Sequence, residues 1–195
     1  LYDTITIDAT KVNATLTDFP VYVDLADLSA AFWANTPSGS SFVGTDIRVT
    51  TDAGSIVELA RELVAASSTL ETGELHFKAD SISSTIDTVF RVYYNGTTTG
   101  DYGIDATYGA QNVWSNGYVA VYHLNEDGNT DDDGYLDSTI YGEHASGTSM
   151  TASSDVSGQL GTGQNFDGAN DYIRMPTGVM DLSSSIAEIT VQAWG

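Results

Sequence analysis

The chain has no cysteine among its 195 residues, which excludes a disulfide framework, thiol chemistry and any cysteine-ligated zinc or iron–sulfur centre. Basic side chains are few: 6 Lys and Arg stand against 27 Asp and Glu, for a formal charge of -21. A surface of that sign repels phosphate, so nucleic acid is disfavoured as a partner. Lysine is confined to Lys11 and Lys78. No uninterrupted apolar run approaches the roughly 20 residues of a membrane-spanning helix, and residues 1–10 lack the basic and apolar segments of a signal peptide. Membrane insertion is not expected, and an exported protein would already have lost its signal. Sustained helical periodicity is also missing. What is present is an apolar share of 41%, enough to bury a core, together with abundant Ser, Thr, Gly and Asp. That composition suits exposed β-rich surface proteins, and the acid excess suits salt water, where cations screen self-repulsion.

Short alternating segments recur with turn residues between them, and they predict an all-β fold of two β-sandwich domains in tandem. Thr4 to Ile7 places Ile5 and Ile7 on one face. Val21, Val23 and Leu25 point inward from a second strand, with Pro20 at its start, where a missing N–H is tolerated. Ile47 with Val49, Ile56 to Val64, and Leu75 with Phe77 supply further strands. Val89 to Tyr94 is apolar on both faces and is expected at the centre of a sheet. Ala30 to Asn35 reads as one helical turn, and Leu59 to Ala66 as a strand with Arg61 outward. The Gly- and Thr-rich stretch 97–113 is expected to be a linker, which divides the chain into domains at 1–96 and 114–195. In the second domain strands are expected at Tyr118 to Leu124, Gly163 to Phe166, Asp171 to Met175 and Ile189 to Trp194.

Four segments carry a resemblance in the first half: YDTITID from residue 2, LTDFPVYVDL at 16–25, GTDIRVTTDAG at 44–54 and IDTVFRVYYNG at 86–96. Together they resemble an uncharacterised β domain of microbial and phage surface proteins, a family that commonly precedes a laminin-G-like, concanavalin-A-like jelly roll. The second half is similar to the opening strands of such a jelly roll in VWSNGYVAVYHLNE at 113–126, LDSTIYGEHASG at 136–147, GQNFDGANDYIRMP at 163–176 and TVQAWG at 190–195. It departs from that pattern where a short Gly-rich turn is expanded into DGNTDDDGY. The resemblance implies a spacer or docking sandwich followed by a jelly roll that is incomplete at Gly195.

The expanded loop holds the sharpest local motif. Asn129, Asp131, Asp133 and Gly134 read N-x-D-x-D-G, the first half of a calcium loop of the EF-hand type, in which alternating oxygen donors surround a hard cation. The Tyr135 carbonyl and the carboxylates of Asp127 and Asp137 could complete the set. Ile140 occupies the position of the bidentate glutamate and no helices flank the loop, so an EF-hand proper is excluded; a calcium site on a β-loop remains the expectation, against a solvated acidic loop. Asp167 and Asp171 fit turn capping better than a metal pair.

Hydrolysis of glycosides would need two carboxylates facing one cleft. Glu58 and Glu62 are in phase but flank Arg61 and read as an exposed face, and Glu71 with Asp80 is a weaker pair, so no catalytic set is expected. His76 alternates with Leu75 and Phe77 and is expected to face solvent. His123 is expected as a hydrogen-bonded core residue and His144 as a structural residue of a turn. Tyr93, Tyr94, Tyr102, Tyr108 and Trp114 crowd the interdomain stretch; packing between sandwiches accounts for them better than stacking on sugars. The sequence thus predicts a non-enzymatic structural and binding protein, extracellular or on a cell or virion surface. Its expected partner is a glycan or surface protein, within a homo-oligomer or a larger particle. The alternative is an accessory carbohydrate-binding region of a larger extracellular glycoside hydrolase.

Overall fold

The structure is a computed structural model that describes residues 1–35, 45–52, 54–97, 100–158, 161–179 and 189–193. The fold is all-β: antiparallel sheets account for the regular structure, with one short helix and a few 3₁₀ turns among the described residues. Among the described residues, no helix is long and apolar enough to cross a membrane.

The first half is built from β1 (Tyr2–Ile7), β2 (Leu16–Asp24), α1 (Ala30–Ala34), β3 (Arg48–Thr51), β4 (Glu58–Leu59), β5 (Arg61–Ser67), β6 (Thr72–Ile82) and β7 (Thr88–Tyr93). Two antiparallel sheets form, one in the order β1-β7-β3-β4 and the other β2-β6-β5. β7 is central as expected, lying between β1 and β3, with Phe90 and Val92 buried on its inner face and Arg91 and Tyr93 half-buried on the other. Pro20 falls inside β2 rather than at its start, opposite Lys78, and is tolerated because β2 is an edge strand.

The sheets share one core. Val23, Leu75, Phe77 and Ala79 from one meet Val49, Leu59, Phe90 and Val92 from the other, and Phe32 and Trp33 of α1 join them. Ser29 caps that helix by accepting the Phe32 N–H. The Phe77 and Phe90 rings lie 4.9 Å apart, edge to face. Burying each contributes roughly 2 kcal/mol of transfer free energy.

Arg61 corrects the expectation of an outward side chain. It pairs with Phe77 across the ladder, so both point to the inner face, and it is only 4% exposed. Burial is made tolerable by its Nε donating to the Ile47 carbonyl at 2.6 Å and by an ion pair with Asp101 at 2.7 Å. Its backbone N–H donates to the Tyr108 carbonyl, and Arg48 stacks on the Tyr102 ring and donates to the Gly100 carbonyl. The described part of 97–113 therefore lies against the first sandwich.

The second half is held by short ladders: β8 (Ser146–Thr148) with β11 (Tyr172–Arg174), and β9 (Asp155–Ser157) with β10 (Thr162–Gln164). The expected strand at Tyr118 to Leu124 reduces to a bridge between Tyr122 and Asp137. Ile189 to Ala193 forms no strand, and Trp194 lies outside the described residues. Among the described residues Tyr135, Ala145 and Met150 form a small buried cluster in it.

Candidate functional site

Period-two alternation puts Glu74, His76 and Lys78 of β6 on the outer face of the β2-β6-β5 sheet, opposite Leu75 and Phe77. The ladder sets Tyr22 on one side of His76 and Glu62 on the other. A bulge between Leu63 and Ala65 shifts the register of β5, and the extra residue, Val64, leaves its carbonyl to accept from Asn125 Nδ2 at 3.2 Å. The second half docks on this face.

Glu62 is the hub. Its Oε2 accepts the indole N–H of Trp114 and lies 3.1 Å from His123 Nε2, while its Oε1 accepts the Ser138 hydroxyl at 2.6 Å. His123 Nδ1 lies 3.4 Å from Glu74 Oε1, and the same oxygen is 2.7 Å from His76 Nε2. The side chains of Glu62, Glu74 and His76 are 12% exposed and that of His123 is 11% exposed. The Trp114 ring closes over both imidazoles, with centroids at 5.1 Å from His76 and 5.7 Å from His123. Lys78 Nζ donates to Ser115 Oγ at the edge of the joint.

The electrostatics follow from the packing. Burial disfavours the charged form of each group, but mutual hydrogen bonds outweigh it. Burial opposes the Glu74 carboxylate, yet hydrogen bonds from His123 and His76 hold its carboxyl at about 2. Burial likewise works against a charged His123, and hydrogen bonds to Glu62 and Glu74 push its imidazole up to about 9. Glu62, desolvated but bonded to His123, Ser138 and Trp114, is held below the ordinary carboxylate range.

His76 therefore does not face water, contrary to expectation: it is on the outer face, as its alternation requires, but the second half covers that face. Glu62 is likewise enclosed rather than exposed, and Glu74 drew no notice in the sequence. The one legible signal was Glu74-x-His76, whose strand spacing places a carboxylate and an imidazole side by side. Among the described residues, Glu74, His76 and His123 are the three metal-ligating side chains that gather, with donor atoms within 4.8 Å of one another.

The acidic loop is arranged differently. Asp127, Asp131 and Asp133 are exposed, and Asn129 folds the loop on itself: Nδ2 donates to the Asp127 carbonyl at 2.7 Å and Oδ1 accepts the Asp131 N–H at 3.0 Å. A Cβ at Gly134 would stand 2.0 Å from Asn129 Oδ1, so a larger residue there would displace the Asn129 side chain from this arrangement. Tyr135 is buried, and its carbonyl accepts the Ala145 N–H at 2.8 Å. Asp137 turns inward, where its carboxylate accepts the N–H groups of Val121, Thr139 and Glu143 and the Thr139 hydroxyl. His144 has a structural part, with Nδ1 accepting the Asp137 N–H at 3.0 Å. Asp167 caps its turn by accepting from the backbone of Ala169, Asn170 and Asp171.

Comparison with protein-family models, curated proteins and solved structures finds no match to this chain.

Proposed function

We propose that the chain is a structural and binding protein of a microbial cell, appendage or virion surface, whose first sandwich is a spacer or docking module for the second half. The observation that carries this reading is the joint itself. The groups best suited to acid–base chemistry, Glu62, Glu74 and His123, are enclosed between the two halves and bonded to one another. A general acid or base must reach the proton it moves in a bound substrate. Groups placed in this way instead fix the two halves in one arrangement, which is what a protein that presents loops at a distance from its anchor requires.

The ligand of this reading is a glycan or a surface protein, bound by the loops of the second half within an oligomer or particle. Calcium on the acidic loop is its cofactor. With Asp137 committed inward and the buried Tyr135 carbonyl engaged by the Ala145 N–H, the donors are Asp127, Asn129, Asp131 and Asp133.

The experiment is a screen for turnover against glycosides and peptides, run beside a glycan array. The reading expects binding without turnover. Turnover abolished by Glu62→Gln or Glu74→Gln would overturn it.

A further inference from the structure

We infer that Glu74 Oε1, His76 Nε2 and His123 Nδ1 form a binding site for one divalent transition-metal ion of the zinc class, with Glu62 orienting His123. The three donors come from both halves of the molecule. β6 delivers Glu74 and His76 by alternation, and the docked segment delivers His123, so the donor atoms meet within 4.8 Å. Two imidazoles and a carboxylate are the donors that zinc, nickel, copper and ferrous ions accept, whereas calcium takes oxygen alone.

The second contact of His123 selects which nitrogen would bind. Its Nε2 faces Glu62 at 3.1 Å, so a proton held there leaves the Nδ1 lone pair pointing toward Glu74 and His76. A carboxylate behind a ligating imidazole fixes its tautomer and ring orientation. The distances agree in part. The 3.4 Å between His123 Nδ1 and Glu74 Oε1 is long for a charge-assisted hydrogen bond, which falls near 2.7–2.9 Å. It is close to the roughly 3.3 Å that separates two ligands on a tetrahedral ion with bonds near 2.0 Å. The 2.7 Å between His76 Nε2 and Glu74 Oε1 is a hydrogen-bond length, so His76 must shift by about half an ångström to admit the ion.

Charge and enclosure point the same way. A metal ion at His123 Nδ1 displaces the proton held there; with both imidazoles then neutral, Glu62 and Glu74 leave two negative charges in a site walled by Trp114 and by Tyr22, whose ring is 5.5 Å from His76. A dication cancels both. In a chain without cysteine, such an ion would tie β6 to the second half as a disulfide cannot. The inference concerns the joint alone, so its failure would leave the attachment reading standing.

The test is calorimetric titration of zinc chloride into the chelator-treated full chain, with cobalt substitution read by visible absorption. One equivalent is expected to bind, unaffected by millimolar calcium. His76→Ala and His123→Ala should each weaken binding at least tenfold, and Glu62→Gln about 10- to 100-fold. Asp131→Ala with Asp133→Ala should change nothing. Because a histidine variant could lose its fold, the histidine ¹⁵N shifts of the unaltered chain provide a second readout: zinc should move His123 Nδ1 and His76 Nε2, and Glu62→Gln should alter the His123 tautomer. No binding, binding that survives loss of both histidines, binding lost with the loop aspartates, or unmoved histidine shifts would each overturn the site and leave a hydrogen-bonded ion pair network.

Discussion

Glu62 on β5 and His123 in the docked segment, 61 positions apart, meet with Oε2 3.1 Å from Nε2. That contact joins the outer face of one sheet to a segment with almost no regular structure of its own. Among its described residues the second half has short ladders and a small buried cluster, and the joint ties it to the first sandwich.

The joint should behave as a coupled unit. Glu62→Ala strands the Trp114 indole N–H and the Ser138 hydroxyl and removes the partner of His123, which should cost about 3 kcal/mol. Trp114→Phe removes one of those donors. A double-mutant cycle by denaturant unfolding should therefore show the two changes to be non-additive by about 1 kcal/mol; simple additivity would mean that the contact does not couple them.

Asp137→Ala should destabilise the chain by about 3 kcal/mol, because three backbone N–H groups and a hydroxyl lose their acceptor in a buried setting. Ser138→Ala, which removes a single hydroxyl from the same stretch, should cost about 1 kcal/mol. Urea midpoints of the two variants check the order; equal midpoints would mean that Asp137 is not the organiser of this turn.

The first sandwich was largely legible because its strands bury one face and its alternation reads out directly. Ile5, Val23, Val49 and Phe77 occupy the faces their spacing predicts. The joint was not legible, for a physical reason. Alternation assigns a side chain to a face but not to water, and the outer face of β6 is covered by residues close to 40 or more positions downstream, Trp114 and His123. Arg61 fails on a different ground: its charge, against its spacing from Leu63, argues for water, and a charged residue on an inner face is expected only when its partners, here the Ile47 carbonyl and Asp101, are known. The strand at Tyr118 to Leu124 fails because period two says nothing of a partner to pair with, and there only Tyr122 finds one.

Asp167 supplies a pH dependence. Backbone N–H groups of Ala169, Asn170 and Asp171 bond to its carboxylate and hold it below its ordinary value of 3.8. A folded-state value below the unfolded one stabilises the turn above the ordinary carboxylate range and is lost as pH falls through the folded-state value. Carboxyl titration by NMR should place the Asp167 midpoint below 3.8 and show the three amide signals moving with it. A midpoint at or above that value would contradict the capping.

Calcium at the acidic loop can be read by melting. A cation that binds only the folded chain raises its midpoint as the concentration rises. In protein first freed of transition metal, calcium against chelator should separate the melts of the unaltered chain and leave those of Asp131→Ala with Asp133→Ala together. Four coincident melts would return the loop to the order its own hydrogen bonds give it.

The docking of the second half on the β2-β6-β5 sheet is tested most directly by the Trp114 indole proton. Enclosed at the joint and donated to Glu62, it should exchange with water at least tenfold more slowly in the intact chain than in Glu62→Ala, and it should lie within nuclear Overhauser range of the His76 and His123 rings. Exchange at the rate of a free indole in the intact chain, with no contact to either histidine, would contradict the joint.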